Sequence, residues 1–328
     1  GLALKSVDIG TPIENLDMIK TTADGQVSIV FTEASGLTGT LQIVPGTTAV
    51  IRQDQLTSGR SNEVRLMTGA VNLKVKRLVG MKSAIQVKTP TSVLGVRGTE
   101  FNVASFNGSV IVACKEGEVA CASWSEVSGS NQIRKKGSSA VPGTMVEVME
   151  SGDVKSGKFP GGNYEANWKN VQKKWKSFNV GIVAGDPISW MNQFVGAWDT
   201  YSGKVIEGNA KLRANKVLAA WLDSAGSETP SGSFANWVKE RPMVMKDLID
   251  IRPNIVLGMI NWYRLQEVIS CLSDADMSKT LSNGQTVGAF IKGFRATEQD
   301  FSAAVALFTA AEKQYMLRND GVSPFSDF

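Results

Sequence analysis

Apolar and polar residues alternate along the first half of the chain, in short segments that turn-forming residues separate. In GQVSIVF, the residues Val27, Ile29 and Phe31 occupy every second position, and EVRLMTGAVNLKVKRL repeats the pattern further along. Alternation with period two places apolar side chains on one face of a β-strand. Gly, Thr-Gly, Pro-Gly and Asn-Gly breaks between short strands are typical of an all-β fold. We therefore predict an antiparallel β sandwich or roll over residues 1–150.

The pattern changes after residue 150. The segment SGDVKSGKFPGGN, residues 151–163, is rich in Gly, Pro, Ser and Lys and is predicted to be a linker between domains. In the next segment, aromatic and aliphatic residues are spaced by four, three, four and three, which is one stripe of a helix. The stripe consists of Tyr164, Trp168, Val171, Trp175 and Phe178. We favour the interpretation that this stripe packs against other parts of the protein. The alternative is a helix that binds a membrane surface or a partner.

Helical periodicity continues to the end of the chain, so residues 164–328 are predicted to form an all-α bundle. Asp186-Pro187 has the residue types of an N-cap followed by the first helical position. Further helix starts are predicted at Pro242, Pro253 and Thr297, and a break or a kink at Gly203 and Gly208. The fold class predicted for the whole chain is α+β with two segregated domains.

The composition of the chain excludes several classes of function. The 328 residues are 42% hydrophobic and carry 35 basic against 31 acidic side chains, a net charge of +4, which is too balanced for a nucleic-acid-binding protein. The chain contains no histidine, which excludes Ser-His-Asp and Cys-His catalytic systems and zinc sites with histidine ligands. The longest apolar run, IVLGMINWY, is too short for a membrane span. The start GLALKSVDIG, without an initiator Met, fits an exported protein whose signal peptide has been removed, or equally a trimmed chain.

No group of residues indicates catalysis. The neighbouring acids Asp274 and Asp276, like Glu116 and Glu118, lie in polar segments typical of solvated turns. The spacing of Asp247 and Asp250 in the sequence places both on one face of a helix. We interpret this face as exposed to solvent. We predict no catalytic, cofactor-binding or metal-binding residues, and no enzyme activity.

The segment TPTSVLGVRGTEFNV, residues 89–103, has two glycines on either side of one arginine. A phosphate-binding loop would need more glycines, a Lys-Ser/Thr pair and a helix after it, whereas this segment leads into the alternating strand TEFNV. The glycines are therefore predicted to allow a sharp turn between two strands. Arg97 is predicted to hold this corner, by pairing with Glu100 or by bonding to carbonyls of a neighbouring strand.

Two cysteines occur in the alternating segment SVIVACKEGEVACASW. A type II′ turn at Gly117-Glu118 would make this segment a hairpin with Cys114 opposite Cys121. Two interpretations stay open: a cross-strand disulfide, or two buried reduced thiols. Cys271, in an apolar helical stretch, is predicted to be a core residue.

These segments together resemble the FecR domain. The resemblance is carried by KTPTSVLGVRGTEFNV, by VIVACKEGEVA with its central glycine and by IRKKGSSAVPGTMVEV; PIENLDMIKTTADGQVSIVF and LQIVPGTTAVI support it. It covers about residues 4–150. The residues that match the family signature are Thr89, Pro90, Gly95, Arg97, Gly98, Thr99, Glu100 and Phe101.

The resemblance implies an all-β, extracytoplasmic, non-enzymatic domain that contacts other proteins. In iron-dicitrate-type regulators the domain receives a signal from an outer-membrane transducer. We expect a periplasmic or otherwise exported structural or interaction protein, an accessory part of an envelope-associated assembly such as a periplasmic flagellar filament or sheath. The alternatives are a peptidoglycan- or glycan-binding protein and an envelope signal receiver. The expected partners are proteins, with no cofactor, nucleic acid, membrane span or small-molecule ligand.

Overall fold

The computed structural model describes residues 6–32, 35–56, 59–77, 83–127, 130–223 and 236–325. Strands occupy the first half of the chain and helices the second half. The predicted fold class, α+β with segregated strands and helices, is confirmed. None of the described helices is both long enough and apolar enough to cross a membrane.

Eleven strands form one connected sheet within the described residues. They are β1 (Met18–Lys20), β2 (Val27–Val30), β3 (Leu37–Ile43), β4 (Thr48–Leu56), β5 (Gly59–Arg77), β6 (Ser83–Lys88), β7 (Ser92–Phe106), β8 (Ser109–Val127), β9 (Ser130–Ala140), β10 (Thr144–Val148) and β11 (Val154–Lys158). The main path is β1-β4-β5-β6-β7-β8-β10-β11, with β2 joined through β3 to β5, and β9 joined to β8. The pair β5–β6 is parallel, and the other pairs are antiparallel.

The inward faces of these strands share one hydrophobic core. Val71, Leu73 and Val75 on β5 are buried in it, as their alternation predicts. Phe101 and Val103 on β7 lie directly opposite Leu73 and Val71. Burial of such side chains contributes about 1.5–3 kcal/mol each. The long strands β5, β7 and β8 therefore form the centre of the sheet.

The helices are α1 (Tyr164–Gly185), α2 (Pro187–Ala214), α3 (Lys216–Asp223), α4 (Trp237–Ile269) and α5 (Val287–Arg318). Asp186 caps α2 by accepting a hydrogen bond from the Ser189 N–H, and Pro187 is its first residue, as predicted. The long tract breaks at Asn215, whose side-chain Oδ1 accepts the N–H groups of Val217 and Leu218 at the start of α3. It does not break at Gly203 or Gly208, which lie inside α2.

Three predicted helix starts are wrong. Pro242 and Pro253 lie inside α4, and Thr297 lies inside α5. A proline removes one intrahelical hydrogen bond, but packing of a continuous apolar face outweighs that loss. On α4 this face runs past the second proline through Leu248, Ile251 and Ile255, all buried.

The compact units of the structure differ from the predicted domain limits. One unit comprises residues 13–185, and the other comprises residues 1–12 with residues 186–328. The predicted linker, residues 151–163, contains strand β11, which pairs with β10. Helix α1, predicted as the start of the helical domain, belongs to the unit that contains the sheet.

Helix α1 uses part of the predicted stripe. Trp168 and Trp175 are buried, and the buried face continues through Asn179 and Val183. Phe178, predicted as a member of the stripe, is 65% exposed. The helix extends beyond the predicted stripe to Gly185, and over that length its buried positions rotate away from residue 178.

Candidate functional site

The signature segment begins with a tight connection between β6 and β7. The Thr89 N–H donates to the Ser92 carbonyl at 2.9 Å, and the Thr89 hydroxyl accepts the Ser92 N–H at 3.0 Å. Pro90 lies between them, where its missing N–H costs no hydrogen bond of the ladder. The Trp124 indole donates to the Thr89 carbonyl at 2.9 Å. Thr89 and Pro90 therefore make the turn between strands that the sequence pattern assigned to the glycines.

The glycines lie within a continuous strand. Gly95 and Gly98 are both part of β7, so the predicted turn between two strands at this point is wrong. The register with β8 shifts here: Arg97 pairs with Glu118, and Glu100 pairs with Glu116. Gly98 has φ of +53°, a left-handed conformation that a glycine adopts easily. The corner is thus a β-bulge that bends one strand. The Arg97 side chain lies outside the described residues, so its role in holding the corner stays a prediction.

The predicted cysteine hairpin is also wrong. Gly117 has φ of +84°, but β8 runs through it without a turn. A glycine with positive φ serves a hairpin turn and a bulge equally well, and here it faces the bulge of β7. Cys114 and Cys121 therefore lie seven positions apart on one strand, opposite Phe101 and Leu94.

Both of these cysteines are free and buried. Burial raises the pKa of the Cys114 thiol to about 11 and that of Cys121 to about 12. The Cys114 Sγ lies 3.3 Å from the Glu116 carbonyl oxygen. Because the thiolate is the nucleophile, these side chains are poor nucleophiles at neutral pH. Cys271, predicted as a core residue, is only partly buried.

Glu100 of the signature connects three elements. Its Oε2 lies 3.0 Å from the Lys74 Nζ on β5, and its Oε1 lies 2.6 Å from the Lys115 Nζ on β8. Lys115 also lies 3.1 Å from Glu165 Oε1 on α1. The hydrogen bond from Lys115 is the main reason that the pKa of Glu100 is lowered, and the same bond raises the pKa of Lys115. The side chains are partly solvated, so each pair contributes little alone and the network mainly positions α1.

Two aromatic residues fix α1 on the sheet. The Tyr164 hydroxyl donates to the Ala113 carbonyl at 2.8 Å. The Trp175 indole donates to Glu147 Oε1 on β10 at 2.8 Å. Burial raises the pKa of Tyr164 far above its ordinary value, so its hydroxyl stays protonated as a donor. The aromatic spacing predicted a packed helix, and the structure shows that the sheet is what it packs on.

A buried ion cluster on β5 and β6 was not predicted. Glu63 Oε2 lies 2.7 Å from the Lys88 Nζ, and Glu63 Oε1 lies 2.9 Å from a terminal nitrogen of Arg65. Burial alone would raise the pKa of Glu63, but the positive charges of Arg65 and Lys88 and the Lys88 hydrogen bond lower it to about 2. The Lys88 Nζ lies 5.6 Å from the centre of the Trp124 ring. The cluster depends on the parallel register of β5 and β6, which no local pattern indicates.

The acids singled out in the sequence serve local structure. Asp276 accepts the Ser273 N–H in a capping box and an ion pair from Lys279, which keep its pKa well below its ordinary value. Asp247 accepts a hydrogen bond from Asn215, and Asp250 pairs with Lys246. No group of three metal-ligating side chains is found among the described residues.

A small groove lies between α2 and α4. Its volume is about 120 Å³, well below the roughly 300 Å³ at which small-molecule pockets begin. The polar residues that line it are Lys204, Glu207, Lys211, Asp247, Asp250 and Asn254. Three acidic and two basic side chains face it, so the groove carries both signs of charge and does not select one ligand charge.

Comparison with known proteins agrees with the signature. Residues 17–120 match the family model described as FecR protein, as the resemblance predicts. No curated protein matches the chain. Two crystal structures of a candidate anti-sigma factor from Parabacteroides distasonis are similar at 18% and 16% identity, each with a TM-score of 0.32. Each alignment covers 44% of this chain and 60% of the solved chain, and similarity at this level carries no functional argument.

Proposed function

We propose that this protein is a non-enzymatic, exported component of a bacterial cell envelope that acts by binding other proteins. The FecR domain at residues 17–120 is the observation that carries the proposal. Family members use this domain for protein contacts outside the cytoplasm. A periplasmic accessory role in a larger assembly, such as a flagellar filament or sheath, is the specific form that we propose.

The use of the signature residues supports a binding role. Thr89 is bonded to Ser92 and Trp124, and Glu100 is bonded to Lys74 and Lys115. These polar groups are engaged within the domain instead of converging on an open cavity. Because the signature residues maintain the geometry of the domain itself, we place its function on the domain surface.

The glycan-binding alternative receives little support from the tryptophans. Sugar binding would use exposed aromatic rings, because their faces must be free to stack on the ligand. Six of the eight tryptophans are buried and the other two, Trp190 and Trp237, are half-buried. Trp237 is further occupied by ring contacts with Trp221 and Tyr315.

Signal reception is the second candidate, and the FecR domain itself favours it. The two candidates differ in the partner. A signal receiver would bind a transducer of the outer membrane, whereas an accessory component would remain with a filament or another large assembly after detergent extraction.

Chemical cross-linking in intact cells, followed by identification of the linked proteins, tests the proposal. We expect a specific protein partner, and protease protection that is lost when the outer membrane is opened. A monomeric protein with no cross-linked partner would contradict the binding role. Recovery only from the cytoplasmic fraction would contradict the location.

A further inference from the structure

Strand β2 is an edge of the sheet with an open row of backbone groups. It pairs only with β3 among the described strands. The Phe31 N–H donates to the Gly39 carbonyl at 3.0 Å. Hydrogen-bonded pairs alternate along an antiparallel ladder, so Ile29 and Val27 also bond to β3. The N–H and C=O groups of Ser28 and Val30 therefore point away from the sheet.

The hydrophobic core is incomplete at this edge. Val27, Ile29 and Phe31 pack against the core but remain partly exposed. They lie at alternate positions on the inward face, so one further strand beside β2 would cover them. A helix or a lipid surface would cover apolar atoms but would leave the outward N–H and C=O groups without partners.

This edge also lacks the protection that other edges of the sheet carry. Lysines on edge strands hinder pairing with another chain, and β1 contains Lys20 while β11 contains Lys155. Residues 25–32 contain no charged residue. Val30 points its side chain outward and is 69% exposed. In the sequence, the flanking charged residues are Asp24, which is exposed, and Glu33.

We propose that the edge of β2 binds an extended segment of a partner protein, which adds a strand to the sheet. The segment has apolar side chains at alternate positions, facing the core beside Val27, Ile29 and Phe31, and a basic residue near Asp24. The inference rests on the proposed protein-binding function and assigns its surface. A contact of about five residues buries much less than the roughly 1,200 Å² of a stable protein–protein interface. This size favours reversible binding of a peptide segment over a stable pair of copies through β2 alone.

The full chain is titrated into a fluorescein-labelled ten-residue peptide in which Thr alternates with Val or Ile, with lysine at both ends. A peptide of the same composition with its apolar residues contiguous is the control. We expect binding of the alternating peptide in the micromolar range, and slower hydrogen exchange at the amides of Ser28 and Val30. Binding of both peptides alike, or of neither, would overturn the proposal.

Two substitutions at one residue separate backbone pairing from side-chain contact. Val30→Pro removes an outward N–H that β3 does not use, so the β2–β3 ladder is retained and peptide affinity falls about tenfold. Val30→Ala keeps the N–H and changes affinity by less than about threefold. Equal affinity of the two variants would overturn the proposal. If Val30→Pro does not fold, Ser28→Pro tests the other outward N–H.

Two other outcomes would contradict the proposal. One would show that the β2 edge binds a second copy of this chain, and the other would show that the partner binds elsewhere. Dimerisation that depends on concentration and is abolished by Val30→Pro would assign the edge to a second copy and overturn the proposal. A partner cross-linked in cells that binds wild type and Val30→Pro equally would overturn this surface while leaving the binding function in place.

Discussion

Two glycines of the signature differ in the backbone conformation that they require. Gly98 has φ of +53°, whereas Gly95 has an ordinary strand conformation, and an added Cβ would meet no atom within 4 Å at either position. We expect Gly98→Val to lower the free energy of unfolding by about 1–2 kcal/mol, because an L residue is strained at positive φ. Gly95→Val is the matched control and should change it little. Urea unfolding curves of both variants test this, and equal destabilisation would contradict the bulge.

Glu63 makes the stability of the sheet unit depend on pH. Its folded pKa of about 2 lies below the ordinary value of 4.5, so its contribution is present above pH 4.5 and is lost as pH falls towards 2. We expect Glu63→Gln to lower the free energy of unfolding by about 3 kcal/mol at pH 7, and to lose less stability than the wild type between pH 5 and pH 2.

Unfolding curves at several pH values measure this difference. Glu116→Gln, at an exposed position on β8, is the control and should follow the wild type. The prediction would be contradicted if the stability of Glu63→Gln fell as steeply with decreasing pH as that of the wild type. Such a result would show that the cluster does not stabilise the ionised form of Glu63.

The state of the cysteines has a direct chemical test. All three are free in the structure, so denatured, unreduced protein should take up three alkyl groups. In the native protein, Cys114 and Cys121 should react slowly, because burial raises their pKa values to about 11 and about 12. Mass spectrometry counts the groups. Uptake of one group, with a mass lower by two hydrogens, would instead establish the disulfide.

At the scale of elements, helix α1 belongs with the sheet, and its removal should be costly. We expect a fragment of residues 13–185 to be more stable than one of residues 13–158 by several kcal/mol, since the shorter fragment lacks α1 and with it the apolar surface that Trp168 and Trp175 bury. Thermal unfolding of the two purified fragments measures the difference. Equal unfolding temperatures would support a domain boundary before α1, where the composition of residues 151–163 predicted it.

Alternation and helical spacing predicted which segments are strands or helices and most of the buried positions that they named, with Phe178 and Cys271 as exceptions. Val71, Leu73 and Val75 are buried as expected, and Asp186-Pro187 begins a helix. Each of these patterns lies within one strand or helix, so it indicates which face of that element is buried without information from other segments.

The predictions were wrong where residues distant in sequence determine the local structure. Gly117 fits both a turn and a bulge, and only the pairing of its neighbours Glu116 and Glu118 with β7 distinguishes the two. Pro253 would end an isolated helix, but the apolar face of α4 continues past it. Glu63 and Lys88 meet through strand register, which depends on the whole sheet. The ion network that connects Glu100 to α1 was not predicted, because its residues are also distant in sequence.

At the scale of the whole molecule, a β-sheet region that matches the FecR family model over residues 17–120 is joined to an α-helical region. The motif that identifies the domain, Thr89 to Phe101, builds a turn and a bulge of the sheet. Surface features such as the open edge of β2 are therefore where we place protein binding.

Cross-linking in intact cells, followed by reconstitution with the purified partner, tests the central claim most directly. The account predicts one specific protein that binds the purified chain reversibly and competes with the alternating peptide at β2. A protein that stays monomeric in the cell, with no partner that can be reconstituted, would contradict it.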